Sequence, residues 1–280
     1  MKNLLSKNNI KKLRPDLSFY LPGLLLLLGI KYFYSGAGSD ELLWILAPTT
    51  GWVELLSGIP FVYEEGTGYV NHSLRLLIAP SCSGVQFMLI AFATLLFSFL
   101  HRVGNACILK KGLWFIASLS LSWILTVFVN GLRIIAAIYL PFYVEDINFV
   151  QRLLPPDRLH TVIGIVVYFI SLLTVFQLTE YAFRRHSESS RTGFGKASPW
   201  TLLLRKCVPP VFWYFLIVLG LPFLNRAYRK NGAGFTDFAL LVAVCCGGIL
   251  LCILLLYTLF SPLKKRLSAR LTCLFRRKQD

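Results

Sequence analysis

The stretch PSCSGVQFMLIAFATLLFSFL, residues 80–100, contains no charged residue. A helix rises about 1.5 Å per residue, so a stretch of this length spans roughly the 30 Å of a bilayer's hydrocarbon core. The stretch therefore predicts a membrane-spanning helix. Its first residues, Ser-Cys-Ser-Gly at 81–84, place small polar groups at one end of that span, and their purpose there is the first question that the chain raises.

The whole chain shares this apolar character. Of its 280 residues 56% are hydrophobic, and the mean hydropathy is +0.63, which excludes a soluble domain. The net charge of +16 would suggest a nucleic-acid partner in a soluble protein. Here the basic residues gather in short polar segments between apolar runs, which is the pattern of membrane topology. We therefore predict a lipid bilayer as the environment and no nucleic acid as a partner.

The apolar runs predict an all-α, polytopic bundle of about six spanning helices. A further apolar stretch, residues 41–59, is interrupted by APTTG and by Glu54, so we interpret it as interfacial or re-entrant rather than spanning. The six predicted spans are residues 17–34, 82–100, 113–133, 160–183, 208–225 and 238–260.

Basic residues predict the orientation of these spans. Four segments on one side of the predicted membrane hold twenty-one of the twenty-nine Lys and Arg residues: 1–16, 101–112, 183–207 and 261–280. Because positive loops stay in the cytoplasm, both termini are expected to be cytoplasmic. The outer face then receives residues 41–79, 134–159 and 226–237.

The same assignment divides the chain into five parts. We expect a basic N-terminus (1–16), a transmembrane core (17–183), a polar linker (184–207), a two-helix C-terminal extension (208–260) and a basic tail (261–280) that suits an anionic inner leaflet.

Within the outer segment 41–79, two short stretches rich in Val and Tyr predict a β-hairpin-like strand pair. Gly66 and Gly68 separate the two stretches. The chain also contains seven cysteines, without a Cys-x-x-Cys pair or a regular spacing. The cysteine pattern therefore indicates neither a metal site nor a disulfide framework, and we predict no cofactor.

Three consecutive core helices each carry a polar residue at the predicted outer boundary. These residues are Cys82, Arg133 and His160. Taken singly, each has an ordinary explanation: a packed cysteine, an arginine that reaches lipid headgroups, and a histidine with a structural hydrogen bond. Because ionisable groups are costly in a membrane, their occurrence at one depth favours a shared functional site.

The chemistry of these three groups is that of covalent acyl transfer. A thiolate with a histidine in reach is the minimum for such a reaction, and a neighbouring guanidinium and a helix N-terminus favour the thiolate. We expect Cys82 to attack a peptide carbonyl, His160 to shuttle the proton, and Arg133 to stabilise the oxyanion, with help from backbone amides near Ser83 and Gly84.

Neighbouring residues are expected to support the three. Asn130 lies one helical turn before Arg133 and would orient Arg133 or bind substrate. Ser81 and Ser83 would cap the helix that follows, while Gly84 would allow another backbone to come close.

Three short motifs resemble those of the exosortase/archaeosortase family of membrane transpeptidase-like proteins. They are APSCSGVQF with Cys82, NGLRI with Arg133, and HTVIG with His160 and Gly164, and the likeness covers about residues 60–182. The resemblance implies a cysteine protease or transpeptidase that acts on exported proteins with a C-terminal motif, transmembrane helix and basic tail. Cleavage would occur at the outer face of a prokaryotic cell membrane through a thioester on the cysteine.

Other interpretations remain open from the residues alone. His72 could replace His160 as the base. The chain could instead be a non-catalytic transport or assembly protein that uses Arg133 to bind an anionic group, or an acyltransferase that acts on lipid. The catalytic hypothesis makes a structural prediction: Cys82, Arg133 and His160 converge to within about 10 Å.

Overall fold

The computed structural model describes residues 7–103, 108–144, 156–187, 199–230 and 232–276. Within these ranges, six helices are long and apolar enough to cross a membrane: Leu17–Gly36, Pro80–Arg102, Ile108–Pro141, Arg158–Arg185, Cys207–Leu224 and Gly232–Leu259. They correspond one by one to the predicted spans. The prediction of an all-α, polytopic bundle is therefore confirmed.

The helices are longer than the apolar runs that predicted them. Their bounds are α1 Lys7–Gly36, α2 Leu43–Ser57, α3 Val85–Phe99, α4 Ile108–Val144, α5 Pro156–Ser187, α6 Pro199–Phe215, α7 Leu221–Leu224, α8 Ala227–Lys230 and α9 Gly232–Arg276. A π-helical turn at Leu216–Gly220 joins α6 to α7, and 3₁₀ turns occupy Pro80–Cys82 and Leu100–Arg102. Helix α4 thus continues well beyond Arg133 into the segment predicted to lie outside, and residues 188–198 of the predicted linker lie outside the described residues.

Helix α3 forms the centre of the bundle. It contacts α1, α4, α5 and α6, and 83% of its apolar window is buried, against 11% for the first and last spans. The cause is its composition, since a helix that is apolar on every side can be covered by protein all round. The polar residues that precede α3 are therefore held at the centre of one end of the bundle.

The break predicted within residues 41–59 is wrong, because α2 runs unbroken through APTTG. Pro48 removes one backbone hydrogen bond from the helix. Burial of Leu46 and Val53 in an α2 that packs along α4 offsets that loss. With 15 residues, α2 is about 22 Å long, shorter than a hydrocarbon core, and it is not among the six candidate spans.

A small antiparallel sheet lies between α2 and α3 in the chain. The predicted strand pair is present as β1 (Val62–Glu64) and β2 (Gly68–Asn71), and a third strand, β3 (Leu76–Ile78), which the sequence did not reveal, pairs with β2. Strand β3 leads directly into the turn Pro80–Cys82. The sheet therefore lies at the end of the bundle that carries the cysteine.

A carboxylate ties the sheet to the connection between α1 and α2. Asp40 accepts hydrogen bonds from the hydroxyl of Tyr63 and, at 3.0 Å, from the amide of Gly66. The hydrogen bonds from Tyr63 and Gly66 lower the pKa of Asp40. The hydrogen bond between Tyr63 and Asp40 also raises the pKa of Tyr63 to about 12.

Candidate active site

Cys82 lies in a turn that precedes α3 instead of opening it. The amide of Cys82 donates to the carbonyl of Ala79 at 2.8 Å, and the amide of Ser83 donates to that of Pro80 at 3.0 Å. The predicted caps, Ser81 and Ser83, are wrong, because Gly84 occupies the N-cap of α3 and no side chain caps it. The hydroxyl of Ser83 is buried and has no hydrogen-bond partner among the described residues.

Gly84 allows the close approach that the sequence predicted, although a side chain and not a backbone comes close. Its φ of +75° favours glycine, and a Cβ there would lie 2.9 Å from the Cβ of Asn130 on α4. The space is used by the Asn130 amide, whose Nδ2 donates to the carbonyl oxygen of Cys82 at 2.5 Å. Asn130 is fully buried, so this bond is shielded from solvent.

Arg133 and His160 are in direct contact. The distance from Arg133 Nη2 to His160 Nε2 is 3.4 Å. A guanidinium can only donate hydrogen bonds, so Nε2 is the acceptor, and the neutral ring then carries its proton on Nδ1. Nε2 is therefore the ring atom with the lone pair, and it receives a proton only when its contact with Arg133 Nη2 is given up.

The thiol of Cys82 completes the group. It interacts with the side chains of His160 and Ser81 and with the charge of Arg133. The structure thus brings together the three residues that were predicted to converge. They differ in exposure: Arg133 is only 8% exposed, Cys82 is intermediate, and His160 is exposed at the start of its span.

Three residues of helix α5, spaced four apart, lie next to the guanidinium of Arg133. His160 makes the bond already described, and a Cβ on Gly164 would lie 2.9 Å from Arg133 Nε. Further along, the Tyr168 ring lies 5.5 Å from the Arg133 Cζ atom, a cation–π distance. Arg133 Nε itself is buried and has no hydrogen-bond partner among the described residues.

Tyr168 is the site residue that sequence reasoning missed. Its hydroxyl donates to Asn130 Oδ1 at 2.7 Å, and its ring stacks on Phe87 with centroids 4.9 Å apart. Asn130 therefore contacts Cys82 and Tyr168, whereas its predicted roles were to orient Arg133 or bind substrate. The four-residue spacing from His160 through Gly164 to Tyr168 was the signal that could have revealed it, since such residues share one helix face.

His72, the alternative base, belongs to the sheet. Its Nε2 lies 2.7 Å from Glu64 Oε1, and its side chain is exposed. Among the described residues the thiol of Cys82 has His160, and not His72, as its imidazole neighbour. Nor do three His, Cys, Asp or Glu side chains of the described ranges come together as they would to hold a metal ion.

The fold and the composition define the class: a multi-pass membrane protein in which Cys82, Arg133 and His160 lie together at one end of an apolar bundle. A family model described as "Transmembrane exosortase" matches residues 14–177, more than half of the chain. The chain therefore belongs to the transmembrane exosortase family. The match extends towards the N-terminus beyond the region of the three motifs and includes α2 and most of α1. No curated protein and no solved structure matches the chain.

Proposed function

We propose that this chain is a membrane cysteine protease or transpeptidase with Cys82 as its nucleophile. The observation that supports it is the grouping of side chains in a bundle of apolar helices: Arg133 contacts His160, and the thiol interacts with both. A nucleophile, a proton acceptor and a fixed cation are the groups that acyl transfer requires.

The reaction proceeds in two steps. The thiol proton passes to His160 as the sulfur of Cys82 attacks a peptide carbonyl carbon, and a C–S bond forms. The C–N bond then breaks, and the imidazolium returns the proton to the leaving amine. In the second step an acceptor nucleophile, which is water or an amine or hydroxyl of a cell-surface molecule, attacks the thioester. Its proton passes by way of His160 to the departing sulfur of Cys82 as the C–S bond breaks.

Arg133 is the main donor to the oxyanion in this mechanism. Its buried Nε is unpartnered among the described residues. The amide of Ser83, an expected helper, already donates to Pro80. Any help from the main chain must therefore come from the amides that start α3, since the first amides of a helix have no intrahelical acceptor.

The substrates we propose are exported proteins that end in a short motif, a transmembrane helix and a basic tail. The distribution of Lys and Arg supports cleavage at the outer face, with both termini of the enzyme in the cytoplasm. In that orientation the substrate's basic tail stays inside while the motif reaches the cysteine.

A second function is favoured by one feature of the site. The unpartnered Nε of the buried Arg133 would also suit an anionic group held without chemistry, as in a transport or assembly protein. The two functions differ in their need for Cys82.

Replacement of that cysteine is the test. Cys82→Ala is co-expressed with an exported protein that carries the C-terminal motif, helix and basic tail, and the processing of the precursor is followed by immunoblotting. We expect the uncleaved precursor to accumulate, since no thioester forms. Wild-type enzyme should show an acyl adduct on the Cys82 peptide by mass spectrometry, and hydroxylamine should remove it.

Cys252→Ala is the matched control, because Cys252 is an exposed cysteine of α9. It should process the precursor as the wild type does. Unchanged processing by Cys82→Ala would reject the protease and leave the binding function.

A further inference from the structure

The hydroxyl of Tyr168 determines which way the Asn130 amide points. It donates to Oδ1 at 2.7 Å, so Nδ2 faces the carbonyl oxygen of Cys82 at 2.5 Å. The amide oxygen and nitrogen of an asparagine have nearly the same shape, and only the hydrogen-bond partners distinguish its two orientations. Without the hydroxyl, the flipped amide would place an oxygen against the Cys82 carbonyl.

This bond pair links α5 to the turn that carries the thiol. The Cys82 carbonyl belongs to the peptide that follows the cysteine, so its position constrains the direction of the Cα–Cβ bond. Asn130 is completely buried, which means that water does not replace a lost partner. The link therefore controls where the sulfur lies.

The ring of the same tyrosine acts on the cation. It stacks on Phe87, which is itself fully buried, with an interplanar angle of 19°. Its centroid lies 5.5 Å from the guanidinium carbon of Arg133. Since Phe87 of α3 holds the ring on one side, the ring offers Arg133 a fixed surface.

We propose that Tyr168 is the positioning residue of this site: its hydroxyl places the thiol of Cys82 through Asn130, and its ring places the guanidinium of Arg133. In this role it acts on the reacting sulfur through Asn130 and takes no part in the bond changes. The proposal rests on the proposed function in taking Cys82 as the nucleophile, but the geometry of the thiol can be measured without any substrate.

The experiment measures alkylation of Cys82 by iodoacetamide at neutral pH. Full-length protein in detergent micelles carries Cys82 as its only cysteine, with the other six replaced by alanine. Rates are compared for this parent and for Tyr168→Phe, Asn130→Ala and the double variant. Tyr168→Phe keeps the ring and removes only the hydroxyl, and thermal melting checks that each variant is folded.

We expect Tyr168→Phe to slow alkylation about 5-fold, the effect of one lost hydrogen bond, because the thiol is no longer held beside Arg133 and His160. Asn130→Ala should slow it by a similar factor. The double variant should be slower than Asn130→Ala by clearly less than 5-fold, since only the interaction of the hydroxyl with Arg133 then remains to be lost. If Tyr168 instead had only a structural role that is independent of Asn130, the rate reductions of the two single variants would multiply in the double variant.

Tyr214→Phe is the matched control, because Tyr214 is a buried tyrosine that packs edge-to-face on Phe169 of α5. Its rate should stay within about 2-fold of the parent, as for an ordinary substitution away from the network. An unchanged or faster rate for Tyr168→Phe, or effects that multiply in the double variant, would overturn the proposal. If the wild type cleaves no precursor, the proposed function fails, whereas these rates still decide the role of Tyr168.

Discussion

Cysteines in two regions of the bundle have very different surroundings. Cys82 lies at the sheet end beside His160 and Arg133. Cys246 lies within the apolar helix α9, has no exposed surface, and belongs to the hydrophobic cluster around Phe169. The residue type is the same, so the difference in expected chemistry comes from side chains that other helices supply.

The largest expected effect tests whether the guanidinium creates this difference. Arg133→Lys keeps the positive charge but loses the planar set of donors that contacts His160 and faces Gly164. We expect processing of the precursor to slow about 100-fold, the usual cost of removing a donor to an oxyanion. The measurement is the single-turnover rate in detergent micelles.

Arg184→Lys serves as the control for that substitution. Arg184 is on the same helix as His160 but at the opposite end, where its Nε bonds Glu180 at 2.8 Å. Its rate should equal that of the wild type. An equal loss in both variants would mean that the site does not depend on Arg133 in particular.

Alkylation of the wild-type protein compares the two regions directly. We expect iodoacetamide to modify Cys82 about 30-fold faster than Cys246 at neutral pH, since a partly exposed thiol beside cationic groups reacts faster than a buried one in apolar surroundings. Peptide mass spectrometry gives both rates in one sample. Equal rates would remove the distinction on which the proposed nucleophile depends.

A pair of glycines tests how tightly each region is packed. Gly164→Ala places a Cβ 2.9 Å from Arg133 Nε, whereas Gly247→Ala on α9 meets no atom within 4 Å. We expect the first to slow processing about 10-fold by displacing the guanidinium, as a small misplacement of a catalytic group does. The second should leave the rate unchanged, and a similar loss in both would show that the effect is general to helical glycines.

The smallest expected effect concerns the sheet next to the site. The bond between Asp40 and Tyr63 lowers the pKa of Asp40, so the ionised carboxylate stabilises the sheet at every pH above the usual carboxyl pKa of about 4. This stabilisation is lost as the pH falls through the lowered pKa of Asp40 and the carboxylate takes up a proton. Asp40→Asn should therefore increase hydrogen exchange in residues 60–71 about 3-fold at neutral pH.

Glu65→Gln controls for the loss of charge, since Glu65 affects Tyr63 through its charge alone. It should leave exchange unchanged. The difference between Asp40→Asn and wild type should also shrink at acidic pH. A difference that persists there would assign the effect to something other than the carboxylate.

The amino-acid sequence predicts the membrane spans more completely than it predicts the candidate site. The six spans follow from runs of apolar residues, and hydrophobic length is a local property of the chain. Cys82, Arg133 and His160 could be picked out for a similar reason, because each is a polar group at the end of such a run. Tyr168 could not, since a tyrosine in an apolar helix is an ordinary packing residue until its neighbours are known.

The amino-acid sequence by itself therefore determined the membrane class, the number of spans and the three helices that bear the polar residues. Only the tertiary structure decided that α2 is continuous, that a third strand joins the sheet, and that Asn130 links Cys82 to Tyr168. The physical reason is that these features depend on contacts between segments far apart in the chain. Packing of α2 along α4 offsets the hydrogen bond lost at Pro48. Cys82 and Asn130 are 48 positions apart, so the local sequence gives no sign of the bond that joins them.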